Sequence, residues 1–232
     1  MDGTGVPVVK KETLGRQGKT DGQPAPTREA KLGCGFTPTT WDQEGLALRD
    51  PDSTTYTGAL ETAQELGKRI DREALERGWS RAQKKVVIGD GAEWIWNLVA
   101  EPFPGALQMV DLYHARQHLW AVARRLYPQQ EVQQKAWMKL HQKRLLDQGK
   151  IEKLVGALRA IHAGHAPMAE KIRSQADYFE SNAERMRYPK FRRQHLLVGS
   201  GVIEAGCNAE CIVMPSCAAE QPPILILRWM IC

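Results

Sequence analysis

The apolar positions of this 232-residue chain change period several times, and each change predicts an element. Residues 1–10, MDGTGVPVVK, read as a short strand that begins at Asp2. Residues 11–28 are rich in Gly, Lys, Thr and Pro, which favours a polar loop or hairpin tip. Residues 29–38, EAKLGCGFTP, alternate as a strand, and residues 45–50, GLALRD, read as its neighbour, so an antiparallel meander of three strands is expected. Over residues 57–79 Ala59, Leu60, Ala63, Leu66, Ile70, Ala74 and Leu75 recur at helical spacing between charges, predicting an amphipathic helix. KVVIGDG (85–91) is an apolar run closed by Gly-Asp-Gly, the form of a buried strand with a polar side chain at its carboxyl end. AEWIWNLVAEPF follows as a helix stopped by Pro102 and Pro104, and ALQMVDLYH (106–114) as a second buried strand. Residues 115–188 then hold a helical pattern throughout, broken at Pro128, Gly149 and the GHAP turn at 164–167. HLLVGSGVIEAGC (195–207) brings a Gly-Ser-Gly turn before a helix start. After Asn208 three prolines and three further cysteines interrupt any lasting period, so residues 209–232 are expected to be an aberrant, poorly ordered tail.

This order predicts an α/β chain with a mixed sheet covered by helices and interrupted by an all-helical insertion. The expected divisions are a core over 1–114, the insertion over 115–194, a return segment over 195–208 and the tail over 209–232. Ligands of such sheets bind beyond the carboxyl ends of the strands. Asp90 and Asp111 each fall at such an end.

Composition changes this picture little. Hydrophobic residues make up 42% and charged residues 25%, an ordinary globular balance that argues against wholesale disorder. The net charge of +5 and pI near 9.0 lean towards a polyanionic partner, because Lys and Arg that neutralise phosphates release condensed counterions. The five cysteines form no CxxC pair beside a histidine, a poor zinc pattern, and free thiols in a reducing compartment are the simplest reading. No apolar run is long enough to span a membrane.

The chemistry-bearing set is Asp2, Asp90, Asp111, His114 and Glu204. Carboxylates that converge at strand ends are usually held by a hard cation such as Mg²⁺, with oxygen ligands and retained waters. Two such ions can activate a water or a 3′-hydroxyl and stabilise the leaving oxygen of a phosphodiester. Taken one at a time the acids have plainer readings: Asp2 as a turn former, Asp90 as a cap of the following helix, Glu204 as a first-turn acid favoured by the helix dipole. Their joint pattern is what points to phosphoryl transfer. His114 and His118 lie four apart like a zinc pair, but the HExxH glutamate is missing, so His114 is read as orienting Asp111 or a backbone group and His118 as packing. Trp94, Trp96, Trp120 and Trp137 are read as core. RMRYPKFRRQH (185–195) places Arg185, Arg187, Lys190, Arg192 and Arg193 just before Glu204, either a solvated face or a strip that tracks phosphates.

MDGTGVPV, GRQGK, TREAKLG, RDPDSTTYTGALE, VVIGDGAEWIWN, VDLYHARQHLW and VGSGVIEAGC, in this order, closely resemble the ISKra-group DDE transposases of bacterial insertion sequences, from residue 1 to about 208. The resemblance implies a ribonuclease-H-like fold with a helical insertion between the last strand and the last helix. It implies Asp2, Asp90 and Glu204 as the catalytic, metal-binding acids, and Asp111 and His114 as a supporting D-x-x-H pair. It further implies Mg²⁺, with Mn²⁺ able to replace it, and DNA as partner, both the insertion-sequence ends and the target. An active protein would be a homo-oligomer in the bacterial cytoplasm, nucleoid-associated when bound to DNA. Relative to that family the chain lacks the region before the DGTG strand and the basic helix after Asn208. The competing expectation is therefore an inactive remnant with residual DNA or metal binding.

Overall fold

The computed structural model describes residues 5–7, 27–29, 31–41, 43, 47–59, 62–162, 164, 166–199 and 224–231. Its strands are β1 (Gly5–Pro7), β2 (Thr27–Glu29), β3 (Lys31–Phe36), β4 (Pro38–Trp41), β5 (Ala47–Arg49), β6 (Thr55–Ala59), β7 (Lys84–Gly89), β8 (Leu107–Val110) and β9 (Ile224–Ile231). Five of them form one mixed sheet in the order β6-β3-β9-β7-β8, with β9 antiparallel to β3 and parallel to β7, and β7 parallel to β8. The α/β class with a mixed sheet and helices is thus present, an arrangement compatible with a ribonuclease-H-like sheet.

β7 is buried from Val86 to Gly89, as a strand with a parallel neighbour on each side and a helix over it must be. Its sequence over that stretch, VVIG, is correspondingly a continuous apolar run rather than an alternation. Helix α1 (Ala63–Glu76) is closed at its start by a capping box in which the Thr62 hydroxyl accepts from the Glu65 amide and the Glu65 carboxylate accepts from the Thr62 amide. It buries Leu66, Gly67, Ile70 and Ala74. Helix α2 (Glu93–Ala100) buries Ile95, Trp96 and Val99. Gly89 is needed where α2 crosses β7, since a Cβ there would lie 3.0 Å from the Trp96 ring and 3.2 Å from Ile95.

Between β8 and β9 the elements of the described residues are helices and helical turns. They run through α3 (Leu112–Leu126), α4 (Glu131–His141) extended by a π-helical turn over Gln142–Leu146, α5 (Ile151–Arg159), α6 (Ala166–Ser181), a 3-10 turn over Ala183–Met186 and α7 (Tyr188–Arg192). The insertion expected over 115–194 is therefore helical, and its apolar residues, among them Leu146, Leu154, Leu158, Phe179, Met186 and Phe191, join the same continuous core as the sheet. Gly149 turns the chain between α4 and α5 at φ +62. None of the helices among the described residues is long and apolar enough to cross a membrane.

Four readings of the sequence need correction. Among the described residues the expected three-stranded meander is absent: β1 pairs with β2 in a separate two-stranded sheet, β5 pairs with β4, and β3 has β6 and β9 as neighbours. The helix expected over 57–79 starts at Ala63, because Thr55–Ala59 forms an edge strand and Thr62 sets the cap. The strand expected over 106–114 ends at Val110, where Asp111 caps α3. The tail contains the middle strand of the main sheet: ILILRWMI over 224–231 forms β9, with Ile226 and Leu227 fully buried. The prolines of the tail and all its cysteines but Cys232 precede this largely apolar run, and a run without proline is what a central strand needs.

Candidate acid site at the carboxyl edge of the sheet

β7 and β8 run parallel with Gly89 opposite Val110, so the residues that leave them, Asp90 and Asp111, emerge side by side. The Asp111 amide donates to the Gly89 carbonyl at 2.8 Å and continues the ladder to the last residue. Neighbouring strands of a sheet are about 4.8 Å apart, which brings the two acids within reach of one small ligand.

Each carboxylate is oriented by its own local turn. Asp111 Oδ1 accepts from the amides of Tyr113 at 2.8 Å and His114 at 3.1 Å, satisfying the free N–H groups that open α3. Asp90 Oδ1 accepts from the Ala92 amide at 2.8 Å. The cap position of α2 is Ala92, which has no side chain to do the work. The plain capping reading of Asp90 therefore misses by two residues, and its carboxylate shapes the turn instead.

The insertion closes over this edge. Tyr178, on α6, donates its hydroxyl to the Asp90 carbonyl at 2.7 Å. Asn182, 3% exposed, donates to the Gly91 carbonyl at 3.1 Å and accepts from Trp96 Nε1 at 3.1 Å. Burial drives the Tyr178 hydroxyl well above the ordinary tyrosine range, and the charges of Asp90 and Asp111 push the same way.

His114 and His118 share a face of α3 with their Nε2 atoms 3.2 Å apart. His118 Nδ1 meets Gln175 Oε1 at 2.7 Å, and its ring stacks on Tyr178 with centroids 3.8 Å apart and planes 12° from parallel. Burial, first, and then the neighbouring His114 lower the His118 pKa to about 4, against the opposing pull of Gln175, so the ring is neutral near pH 7. With Nδ1 donating to the Gln175 oxygen, Nε2 is left to accept from His114. The packing reading of His118 fits this placement, and His114 meets Asp111 through its backbone amide. Gln175, Tyr178 and Asn182 gave no signal in the sequence, because the helical period marks α6 without saying which face returns to the sheet.

The donors suit a hard divalent cation in kind, being carboxylate oxygens, and Mg²⁺ is commonly bound through one or two carboxylates together with waters and substrate phosphates. In number they are two: among the described residues no group of three His, Cys, Asp or Glu side chains stands together as a metal site. Asp2 and Glu204 lie outside the described residues. So does the helix start expected after Gly201.

The expected basic strip divides. Arg187 is held by Glu152 and Glu184, with Glu184 at 2.6 Å, and its hydrogen bond to Glu152 lowers that carboxyl to about 2. Arg185 donates to Gln108 at 2.8 Å and lies 4.6 Å from the Trp96 ring centroid. Arg192 donates to the Asp147 carbonyl at 3.3 Å, beside the two-pronged Arg116–Asp147 pair at 2.8 and 3.1 Å. Arg187 and Arg192 tie the insertion together and Arg185 ties it to β8 and α2, whereas Lys190 and Arg193 are exposed. Trp96 is buried and Trp94, Trp120 and Trp137 are packed against the core, in line with the core reading.

No protein-family model, no curated protein and no solved structure matches this chain.

Proposed function

We propose that the chain carries the catalytic core of a DDE-type DNA transposase, which cleaves and joins phosphodiesters at insertion-sequence ends with Mg²⁺. The observation that carries this reading is the pairing of Asp90 and Asp111 at the carboxyl ends of two adjacent parallel strands, covered by a helix of the insertion. Carboxylates so placed suit a hard cation on a nucleic-acid phosphate, the net charge of +5 suits a polyanion, and the ISKra-like motifs name the reaction. Asp90 would be a metal ligand with Asp2 and Glu204, supported by Asp111 and His114. Lys190 and Arg193 are the cations of the basic segment best exposed to reach a DNA backbone.

The test is Mg²⁺-dependent nicking of an end-labelled insertion-sequence terminus by the purified chain. Cleavage reduced at least 100-fold by Asp90→Asn, in protein whose circular dichroism is unchanged, is the result expected of a lost metal ligand. Cleavage that persists in that variant sinks the reading.

A second reading, an inactive remnant that still binds DNA or metal, is favoured by one observation. For an acid on the first strand to join Asp90, that strand should neighbour β7, yet the neighbours of β7 are β8 and β9, and β1 pairs elsewhere. Mn²⁺ or DNA binding without any cleavage is the outcome that selects it.

A further inference from the structure

We infer that Tyr178 and Asn182 are positioning residues for Asp90, so that helix α6 of the insertion acts as a clamp on the turn that presents the acid. The inference rests on the reading of Asp90 as a metal ligand.

The turn Asp90-Gly91-Ala92 departs from the end of β7 with Gly91 at φ +96, a conformation that L side chains rarely adopt. The carbonyls of Asp90 and Gly91 are met from α6 and from the residue that follows it. Tyr178 donates to the carbonyl of Asp90 itself and Asn182 to that of Gly91, across 88 and 91 residues of sequence. Asn182 is fixed in turn by the Trp96 indole, on the helix that follows the turn, and by its own second donation to the Tyr178 carbonyl at 3.1 Å. Tyr178 is held flat against His118. The approach leaves no slack: a Cβ on Gly91 would lie 2.6 Å from the Tyr178 ring. β7, the turn, α2 and α6 are therefore locked to one another at the acid.

A clamp of this kind acts on direction. The Asp90 carboxylate already closes a local bond to the Ala92 amide, and the peptide planes on either side of Gly91 decide where its second oxygen points. Fixing those planes fixes the carboxylate, and a ligand must be held to about 0.5 Å to keep its metal. Loss of an outer-shell partner commonly lowers metal affinity 10- to 100-fold while the ligand remains. Such a role also gives the insertion a task in the acid site besides any contact with DNA.

Tyr178→Phe isolates the effect, since it deletes the hydroxyl and keeps the ring that stacks on His118. The measurements are Mn²⁺ binding to the full chain by calorimetry and amide hydrogen exchange over residues 90–93. Expected are Mn²⁺ binding weakened about 10-fold and faster exchange at Gly91 and Ala92, with β7 protection unchanged. Asn182→Ala should act in the same direction, and Thr62→Ala, which removes the cap of α1, controls for general loss of stability and should leave Mn²⁺ binding alone. Wild-type binding that vanishes in Asp90→Asn but is untouched by Tyr178→Phe overturns the clamp and leaves the metal-ligand reading standing. Wild-type protein with no Asp90-dependent Mn²⁺ binding overturns both. Should Asn182→Ala fail to fold, Tyr178→Phe and the exchange data decide.

Discussion

His118 shows how the site is tied to pH. Its ring is held neutral by burial against Tyr178 and Phe179, with Gln175 on one nitrogen and His114 on the other. Its pKa falls from 6.5 to about 4 on folding, so between those values the unfolded chain binds a proton that the folded chain refuses. Stability is then complete above pH 6.5 and is lost as the pH falls towards 4, by on the order of 3 kcal/mol for the whole shift. His141, also pushed down by burial, adds a loss of the same sign. Urea midpoints at pH 7.5 and pH 5 should separate the two: His118→Gln should lose less stability between those values than wild type. An equal drop in both proteins would mean that the His118 ring is not kept neutral by the fold. The sequence made Asp90, Asp111 and His114 visible, because an acid after an apolar run and a histidine one turn on are local patterns. Tyr178 and Asn182 were not, because their partners lie some 90 residues away and nothing in the spacing of α6 encodes that distance.

Among the elements, the helices were the most legible, since their apolar stripes repeat over several turns and breaks between them are marked by Pro128 and Gly149. Short strands were the least legible. Thr55–Ala59 was absorbed into a helix because Ala59 and Leu60 happen to extend the period of α1, and Asp111 was placed inside a strand because a cap and a strand end look alike in sequence. Helix α5 offers a direct test of how far local propensity governs the insertion. Gly156 sits on its exposed face with nothing within 4 Å of where a Cβ would stand, while Ile151, Leu154, Val155 and Leu158 face the core. Gly156→Ala should therefore raise stability by about 1 kcal/mol, through helix propensity and a less flexible unfolded chain. A shift of the urea midpoint upwards with an unchanged slope is the expected record. A fall would mean that this face meets a neighbour.

For the whole molecule, the decisive feature is the position of β9. The sheet consists of an antiparallel pair, β6-β3, and a parallel pair, β7-β8, and β9 is the strand that joins them. Its eight residues, ILILRWMI, are the kind of apolar run that a strand paired on both sides requires, yet the Pro- and Cys-rich stretch before it masked the pattern in the sequence. The acids Asp90 and Asp111 project from the half of the sheet that depends on β9 for its second edge, so the candidate site inherits its rigidity from the end of the chain. The register supplies a test. Cys34, a buried residue, is the partner of Arg228 across the β3–β9 pair. Opposed residues in an antiparallel pair have Cα atoms about 4.5–5.5 Å apart, within the span a disulfide bridges. Mild oxidation of Arg228→Cys should therefore join the introduced thiol to Cys34, identified by peptide mapping, in preference to Cys207, Cys211, Cys217 or Cys232. The cross-linked protein should also unfold at higher urea, since the bond closes a long loop in the unfolded chain. If the introduced thiol stays reduced or pairs elsewhere, β9 does not occupy the centre of the sheet. The slot beside β7 would then be open to another strand, and the case for an inactive remnant would lose the one observation that favours it.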